Sequence, residues 1–449
     1  MKLLPLIAAT YFMVAGGPYG LEDILGSAGY IHALLLLALV PFLWSLPTAL
    51  MVGELASAIP AEGGYYVWVR RALGPFWGFQ EAWLSLAASV FDMAIYPTIF
   101  VLYLTRIAPT WTAGYRATLW ALAVVLGCAL WNLTGARAVG RSSMVLFCLL
   151  LGPFVVLIAI ALVHWHGHGS GALLHPVAAP NLSLAIAVTM WNYMGWDNAS
   201  TVAQEVEDPQ RNYPRAMLAA AALVALTYIL PLAAVGLAGI DATRFAAGTE
   251  SGTGSWTDAA RIVAGPSLAF AVVLGGMING AGMFNPLMMS YTRVPFAMAE
   301  DAVLTAEAAG RKPSVLARAF SRLNRFDVPW VSVLACAIIW ALALRFSFER
   351  LISIDLVLYG ASLLLEFVAL IVLRRREPAL ARPFRVPGGM AGAVAIAVGP
   401  ALLIAFAIWG AREERVLGLN ALLFSTLVAV TGAAVYAVTA VIRPKSNKE

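Results

Sequence analysis

A chain of 449 residues that is 61% hydrophobic and only 12% charged, with a mean hydropathy of +0.82, lies far outside the range of soluble globular proteins. It reads as an all-α polytopic integral membrane protein. The formal net charge of +5 would suit a nucleic acid or another polyanion, but its placement along the chain argues for a different meaning.

Apolar stretches long enough for a hydrocarbon core of roughly 30 Å give about 12 predicted spans. They are 3–27, 31–58, 76–104, 116–135, 142–164, 182–204, 215–240, 262–292, 328–346, 351–374, 391–411 and 416–442. The start, Lys2 and an apolar run up to Ala15-Gly16-Gly17, has the outline of a signal peptide. Apolar character resumes after Glu22-Asp23, so the segment is expected to be the first helix. With both termini cytoplasmic, 21 of the 29 Lys and Arg fall on the inner side, which is the bias of the positive-inside rule. The basic excess is an orientation signal for a multi-pass protein of the cell membrane.

Two spans are broken. Gly16-Gly17-Pro18-Tyr19-Gly20 interrupts the first, and Asn192-Tyr193-Met194-Gly195-Trp196-Asp197-Asn198 interrupts the sixth. Helix can be given up at membrane depth only where protein, water or ligand satisfies the freed N–H and C=O groups. Paired breaks at corresponding positions of two halves point to a transporter's binding site. They lie five helices apart, and an odd number of helices per unit inverts the second copy. The expected organisation is one membrane domain over 1–449, with a first repeat in 1–165, an inverted repeat in 181–375, and two extra helices in 390–443.

The second span is followed by Glu54 and the Gly63-Gly64 turn. The third carries Asp92, with Tyr96 four residues on and so on the same helix face. Cys128, Cys148 and Cys336 have neither disulfide nor metal-ligand spacing and read as packing residues. His164, His166 and His168 alternate in a predicted outer loop, where a solvated loop outweighs a metal site. No metal and no cofactor are expected. The sixth span ends at Glu205, and the eighth carries Gly275-Gly276 and Gly280-Ala281-Gly282, small residues that admit close helix approach. Asp355 and Glu366 lie in the tenth.

An ionisable group inside a span is by default a functional candidate. Asp92, Asp197, Asp355 and Glu366, with Glu22 and Asp23 after the first break, have no Lys or Arg opposite them away from the ends of the spans. Such a set suits a substrate with more than one amine; the alternative for several of them is to cap helices or stay protonated. Tyr19, Trp191, Tyr193, Trp196, Phe284 and Tyr359 offer π faces to an ammonium, or simply pack. Pro18 lacks the N–H that a substrate carboxylate would use, while Gly17, Tyr19 and Gly20 keep theirs. Candidate substrate-binding residues are thus Gly16, Gly17, Tyr19, Gly20, Asp92, Tyr96, Trp191, Tyr193, Trp196, Asp197, Phe284, Asp355 and Tyr359. Candidates for proton coupling are Glu22, Asp23, Glu54, Asp92, Asp197 and Glu205, with Glu54 and Glu205 also readable as structural network residues.

These motifs, together with Pro60-Ala61-Glu62-Gly63-Gly64-Tyr65-Tyr66, Glu205-Val206-Glu207-Asp208-Pro209 and Arg293-Val294-Pro295-Phe296, resemble the amino acid–polyamine–organocation transporter superfamily over nearly the whole chain. Gly74-Pro75-Phe76-Trp77-Gly78-Phe79-Gln80, Trp44-Ser45-Leu46-Pro47 and Tyr96-Pro97 look most like its polyamine-uptake branch. The resemblance implies a LeuT-like fold, a five-plus-five inverted repeat with helices 1 and 6 unwound, and makes Trp191 a gating aromatic. Some relatives place a Lys in span 5 where others bind sodium, and residues 142–164 contain none. Ser290 and Thr292 are the possible sodium donors in span 8, yet a coupling proton is expected over sodium. The expectation is a secondary transporter of polyamines or related cationic amines, monomeric or homodimeric, by symport or antiport. An amino-acid permease or exchanger is the alternative, and an intramembrane enzyme finds no nucleophile–base set.

Overall fold

A computed structural model of the protein describes residues 1–163, 170–174, 177, 179–245, 255–345, 348–412, 414–416 and 419–441. In chain order the helices are α1 (Leu3–Val14), α2 (Glu22–Leu43), α3 (Ser45–Ala58), α4 (Gly64–Leu73), α5 (Pro75–Ile107), α6 (Tyr115–Asn132), α7 (Ala136–Val163), α8 (Ser170–Leu174), α9 (Leu182–Asn192), α10 (Pro209–Leu237), α11 (Trp256–Ala264), α12 (Pro266–Tyr291), α13 (Arg293–Ala308), α14 (Val315–Phe320), α15 (Trp330–Ala343), α16 (Phe348–Arg376), α17 (Gly389–Ala411) and α18 (Ala421–Val441). A two-residue ribbon, β1 (Arg415–Val416) and β2 (Leu419–Asn420), precedes α18, pairing Arg415 with Asn420. Among the described residues, eight helical stretches are long and apolar enough to cross a membrane, and Leu3–Val14 and Trp330–Ala343 are shorter apolar helices.

The two predicted interruptions are where helix stops. Tyr11 accepts the N–H of Ala15 at 2.6 Å, and regular helix resumes only at Glu22. The predicted span 182–204 is helical only to Asn192, after which two 3-10 turns, Trp196–Thr201 and Ala203–Glu205, carry the chain onward. The predicted boundary between spans 1 and 2 falls on Gly29, which is non-helical (φ 74°, ψ 173°) inside α2. A second kink at Trp44 separates α2 from α3.

α5 forms the axis of the bundle, packed along α12, α16 and α4, while α1 is held between α10, α7 and α12. Gly276 and Gly280 of α12 lie against Tyr103 and the Tyr96 carbonyl of α5, where a side chain would collide, so the small-residue run brings the two backbones together. α17 and α18 leave most of their surface exposed.

Candidate functional site

The freed backbone groups of the two breaks are satisfied by side chains from other helices. Trp256 Nε1 of α11 donates to the Pro18 carbonyl at 2.7 Å, and Gly20 N–H donates to Glu22 Oε2 at 2.7 Å. Tyr228 Oη of α10 donates to the Asn192 carbonyl at 2.8 Å, and Trp196 Nε1 caps the Tyr193 carbonyl at 2.8 Å. Gly195 N–H donates to Tyr359 Oη at 3.0 Å, and Tyr359 in turn donates to Asp197 Oδ1. Gly195 itself, at φ 95°, presses on the Met13 carbonyl, where any Cβ would collide. The two breaks therefore touch through backbone.

Between them is a narrow cavity with room for about one or two waters between its walls. Its lining includes Gly16, Tyr19, Asp92, Tyr96 and Trp191 from the predicted set. It also includes Asn192 and Asn198, which belong to the predicted break though not to the predicted contact set, and Asn279 and Tyr291, which sequence reasoning missed because they carry no charge signal. Asp92 is the only carboxylate on the described wall, and no Lys, Arg or His is there. It is 4% exposed, accepts from Tyr96 Oη at 2.7 Å, and is hydrogen-bonded by Trp191 and Tyr291 as well. Gly16 admits the Asn279 amide, since a Cβ there would overlap the Asn279 side chain and lie 2.7 Å from Met283 Sδ. The Asn279 Oδ1 has no partner, so a polar acceptor is left beside the cavity.

Other predicted residues lie behind that wall. Gly17 packs near Leu150, and the Gly20 carbonyl meets Asn192 Nδ2 at 3.4 Å. Tyr193 donates to the Leu37 carbonyl at 2.9 Å, Trp196 is buried beneath its own turn, and Phe284 sits edge-on to Trp340. Asp197 and Tyr359 are bonded to each other behind Gly195, and Asp355 is buried with both oxygens unpartnered. Ser290 Oγ is 2.8 Å from the Asn198 carbonyl and receives Thr201 Oγ1 at 3.0 Å, while Thr292 Oγ1 donates to the Met288 carbonyl. Both hydroxyls are engaged within the protein.

Side-chain clusters flank the two breaks at each end. At one, Tyr19 meets Tyr103 and Phe154 edge-on, and Phe154 and Phe245 both pack on Trp256. Tyr19 Oη donates to the Val272 carbonyl at 2.5 Å, and Glu22 accepts from Tyr103 at 3.0 Å next to Asp23. At the other end the chain after α3 pairs with the broken helix through a Glu62–Val202 bridge, and Gly63 N–H donates to the Thr201 carbonyl at 3.0 Å. Arg293 joins Glu205 at 2.8 Å and Glu62 at 3.5 Å, and Arg70 joins Asp301 at 2.6 Å. Glu54 lies deeper, fully buried against Arg374 and Arg382. Cys128 and Cys336 are buried and Cys148 is exposed, all as free thiols. His164, His166 and His168 lie outside the described residues.

Burial holds the Glu62 carboxyl up at about 7; Arg293 offsets this only in part, and Glu205 and Glu300 add repulsion. The folded form therefore binds more protons than the unfolded chain between the ordinary glutamate range and pH 7, so stability is lost as pH rises through that window. Glu62→Gln fixes the side chain in its neutral form. Its melting temperature in detergent should match that of the wild type at pH 5 and exceed it at pH 8, and an equal offset at both would sink the assignment.

The pattern of the family described as amino acid permease matches residues 7–441. The chain is 34% identical over 410 residues to the polyamine transporter PUT1 of Oryza sativa subsp. japonica, covering 90% of this chain and 73% of that protein. It is 31% identical over 405 residues to the polyamine transporter RMV1 of Arabidopsis thaliana, covering 90% and 79%. Against the serine/threonine exchanger SteT of Bacillus subtilis it is 25% identical over 349 residues, covering 76% and 75%.

Proposed function

Because the chain belongs to the amino acid permease family, and is a transporter rather than an enzyme, we propose that it moves polyamines or related cationic amines across the cell membrane by alternating access. The carrying observation is Asp92: a buried carboxylate on a wall of Trp191, Tyr96, Tyr291 and Tyr19 that includes no basic side chain among its described residues. A carboxylate attracts an ammonium, and aromatic faces add cation–π attraction. Pro18 has its carbonyl held by Trp256 and no N–H to offer, so the first break is poorly equipped for a substrate carboxylate. The similarity to named polyamine transporters over 90% of the chain supports the same substrate class.

In this reading α1 with the start of α2 makes the first crossing and the rest of α2 with α3 the second. α5, α6 and α7 follow, then α9 with its 3-10 turns, α10, α12, α15, α16, α17 and α18, for twelve crossings in the five-plus-five LeuT-like arrangement with two helices outside it. The termini and the end bearing Glu62, Glu205 and Arg293 face the cytoplasm, and transport is coupled to protons. The cavity is then occluded, shut outward by the aromatic cluster around Tyr19 and inward by the Arg293 ion pairs. Radiolabelled spermidine or putrescine uptake into proteoliposomes, competed with a panel of amino acids, tests the reading. Saturable amine uptake resistant to neutral amino acids is expected. Uptake of neutral amino acids with no competition by polyamines would overturn it.

A further inference from the structure

Besides Asp355, two carboxyls outside the cavity have no hydrogen bond at all. Glu81 of α5 and Glu366 of α16 are each 0% exposed, and neither oxygen of either side chain has a partner. They occupy a regular position. Glu81 and Asp92 are eleven residues apart on α5, and Asp355 and Glu366 are eleven apart on α16. Eleven residues are about three helical turns, so each helix carries both acids on one face, about 16 Å apart. α5 and α16 pack along each other, with Asp92 in electrostatic reach of Asp355 and Glu81 in reach of Glu366. Asp197 acts on both Asp355 and Glu366, and on Glu81. The five acids form a ladder that starts at the cavity wall with Asp92 and ends at the dry Glu81–Glu366 pair.

Among the described residues, no cation answers the lower pair. The titratable neighbours are Asp197, Tyr65 of α4, which donates nothing to either acid while receiving Ser85 Oγ at 2.9 Å, and Tyr359 of α16, which donates to Asp197. α9, α12, α15, α17 and α18 contain no charged residue. Arg70 of α4 is committed to Asp301, Arg71 to Glu377, Arg293 of α13 to Glu62 and Glu205, Arg374 to Glu54 of α3, and Arg116 of α6 to the Thr110 carbonyl. Two unpaired, unsolvated carboxylates side by side are far more costly to bury than two carboxylic acids.

We infer that Glu81 and Glu366 are a proton-binding pair of the transport cycle, neutral in this form, from which one proton is released when a cationic amine settles in the cavity at Asp92, with Asp197 behind its wall. An ammonium at that wall offsets the Asp197 charge that opposes ionisation of the pair. The O–H bond of one glutamic acid then breaks, its electron pair stays on the carboxylate oxygen, and the proton passes to water at the α4–α13 end. One ammonium enters the ladder as one proton leaves, which makes binding an exchange of ammonium for proton at the site. The exchange rests on the amine reading above; the protonated pair does not.

Infrared spectra of the full chain in lipid nanodiscs at pH 7, without amine, test the pair. The band of protonated carboxyl groups should lose intensity in E81Q/E366Q, and an unchanged band overturns the proposal. E81Q and E366Q alone carry the same prediction with smaller losses, should the double variant fold poorly. Spermidine is then added in weak buffer with a pH dye, and radiolabelled spermidine binding is measured on the same samples. Wild-type protein should release protons on binding, with at least a tenfold smaller release in E81Q/E366Q. Binding with undiminished release in the double variant overturns the coupling. If wild-type protein binds no spermidine, the amine reading is what fails, and the infrared result alone supports or overturns the pair.

Discussion

Asp92→Asn should lower uptake of a cationic amine about 100-fold or more while leaving the yield of folded protein unchanged. The carboxylate is nearly isosteric with the amide, and the tyrosines and tryptophan that bond it can still find the remaining oxygen. Charge is what the variant loses. Removing one partner of a buried, hydrogen-bonded ion pair costs about 2–5 kcal/mol, and about 3 kcal/mol is two powers of ten in affinity. The asparagine also turns an N–H₂ dipole toward the ammonium, adding repulsion where attraction stood. Asp197→Asn should do less to binding, because that carboxylate faces Tyr359 behind Gly195 rather than the cavity. Initial uptake rates in proteoliposomes, normalised to protein recovered by size exclusion, check both. Normal uptake by Asp92→Asn would remove Asp92 as the amine's counter-ion.

Glu54→Ala should act in the opposite manner, collapsing the yield of folded protein while any molecules that fold keep their substrate preference. Glu54 is 0% exposed, and both its oxygens are used. Oε1 accepts from Arg374 Nε at 2.8 Å and lies 3.3 Å from Arg382 Nε, while Oε2 accepts from Arg374 and from the Val386 N–H at 2.7 Å. Arg374 and Arg382 also donate to carbonyls of the connector between α16 and α17, including Val386 at 3.0 Å and Leu380 at 3.0 Å. One carboxylate thus ties α3 to the end of α16 and to the entry of α17. Alanine leaves two buried guanidinium groups uncompensated, about 3–5 kcal/mol, against a total stability of about 5–15 kcal/mol for a typical protein. Thermal melting followed by fluorescence-detected size exclusion should show the loss, with Glu54→Gln intermediate. A melting temperature equal to wild type would refute the bracing role.

The breaks were readable from sequence because glycine, proline and asparagine inside an apolar run oppose helix directly, and α1 and α9 stop at Val14 and Asn192 beside them. The length of the second break was not readable. Residues 199–204 fall within the predicted span 182–204, yet packing of Trp196–Thr201 against α3, α1, α12 and α4 holds a 3-10 turn there. Asp92, Tyr96 and Trp191 were found because charge and aromatic bulk stand out in a lipid-like sequence. Asn192, Asn198 and Asn279 carry no such signal, and their place depends on which helix faces which. Glu81 was hidden by position: it follows the Gly74–Gln80 stretch near a predicted helix start, where an acid usually reads as a terminal residue. Its eleven-residue spacing to Asp92, repeated between Asp355 and Glu366, was the available clue.

The backbone contact between Gly195 and Met13 also constrains how such a sequence can change. With no side chain between them to absorb a shift, a larger residue at 195 pushes first on the end of α1, some 180 positions away in the chain. Variation at the two breaks is therefore not independent: drift at one should be viable only with an answering change at the other, and chimaeras that exchange a single break between relatives should fail where those exchanging both succeed.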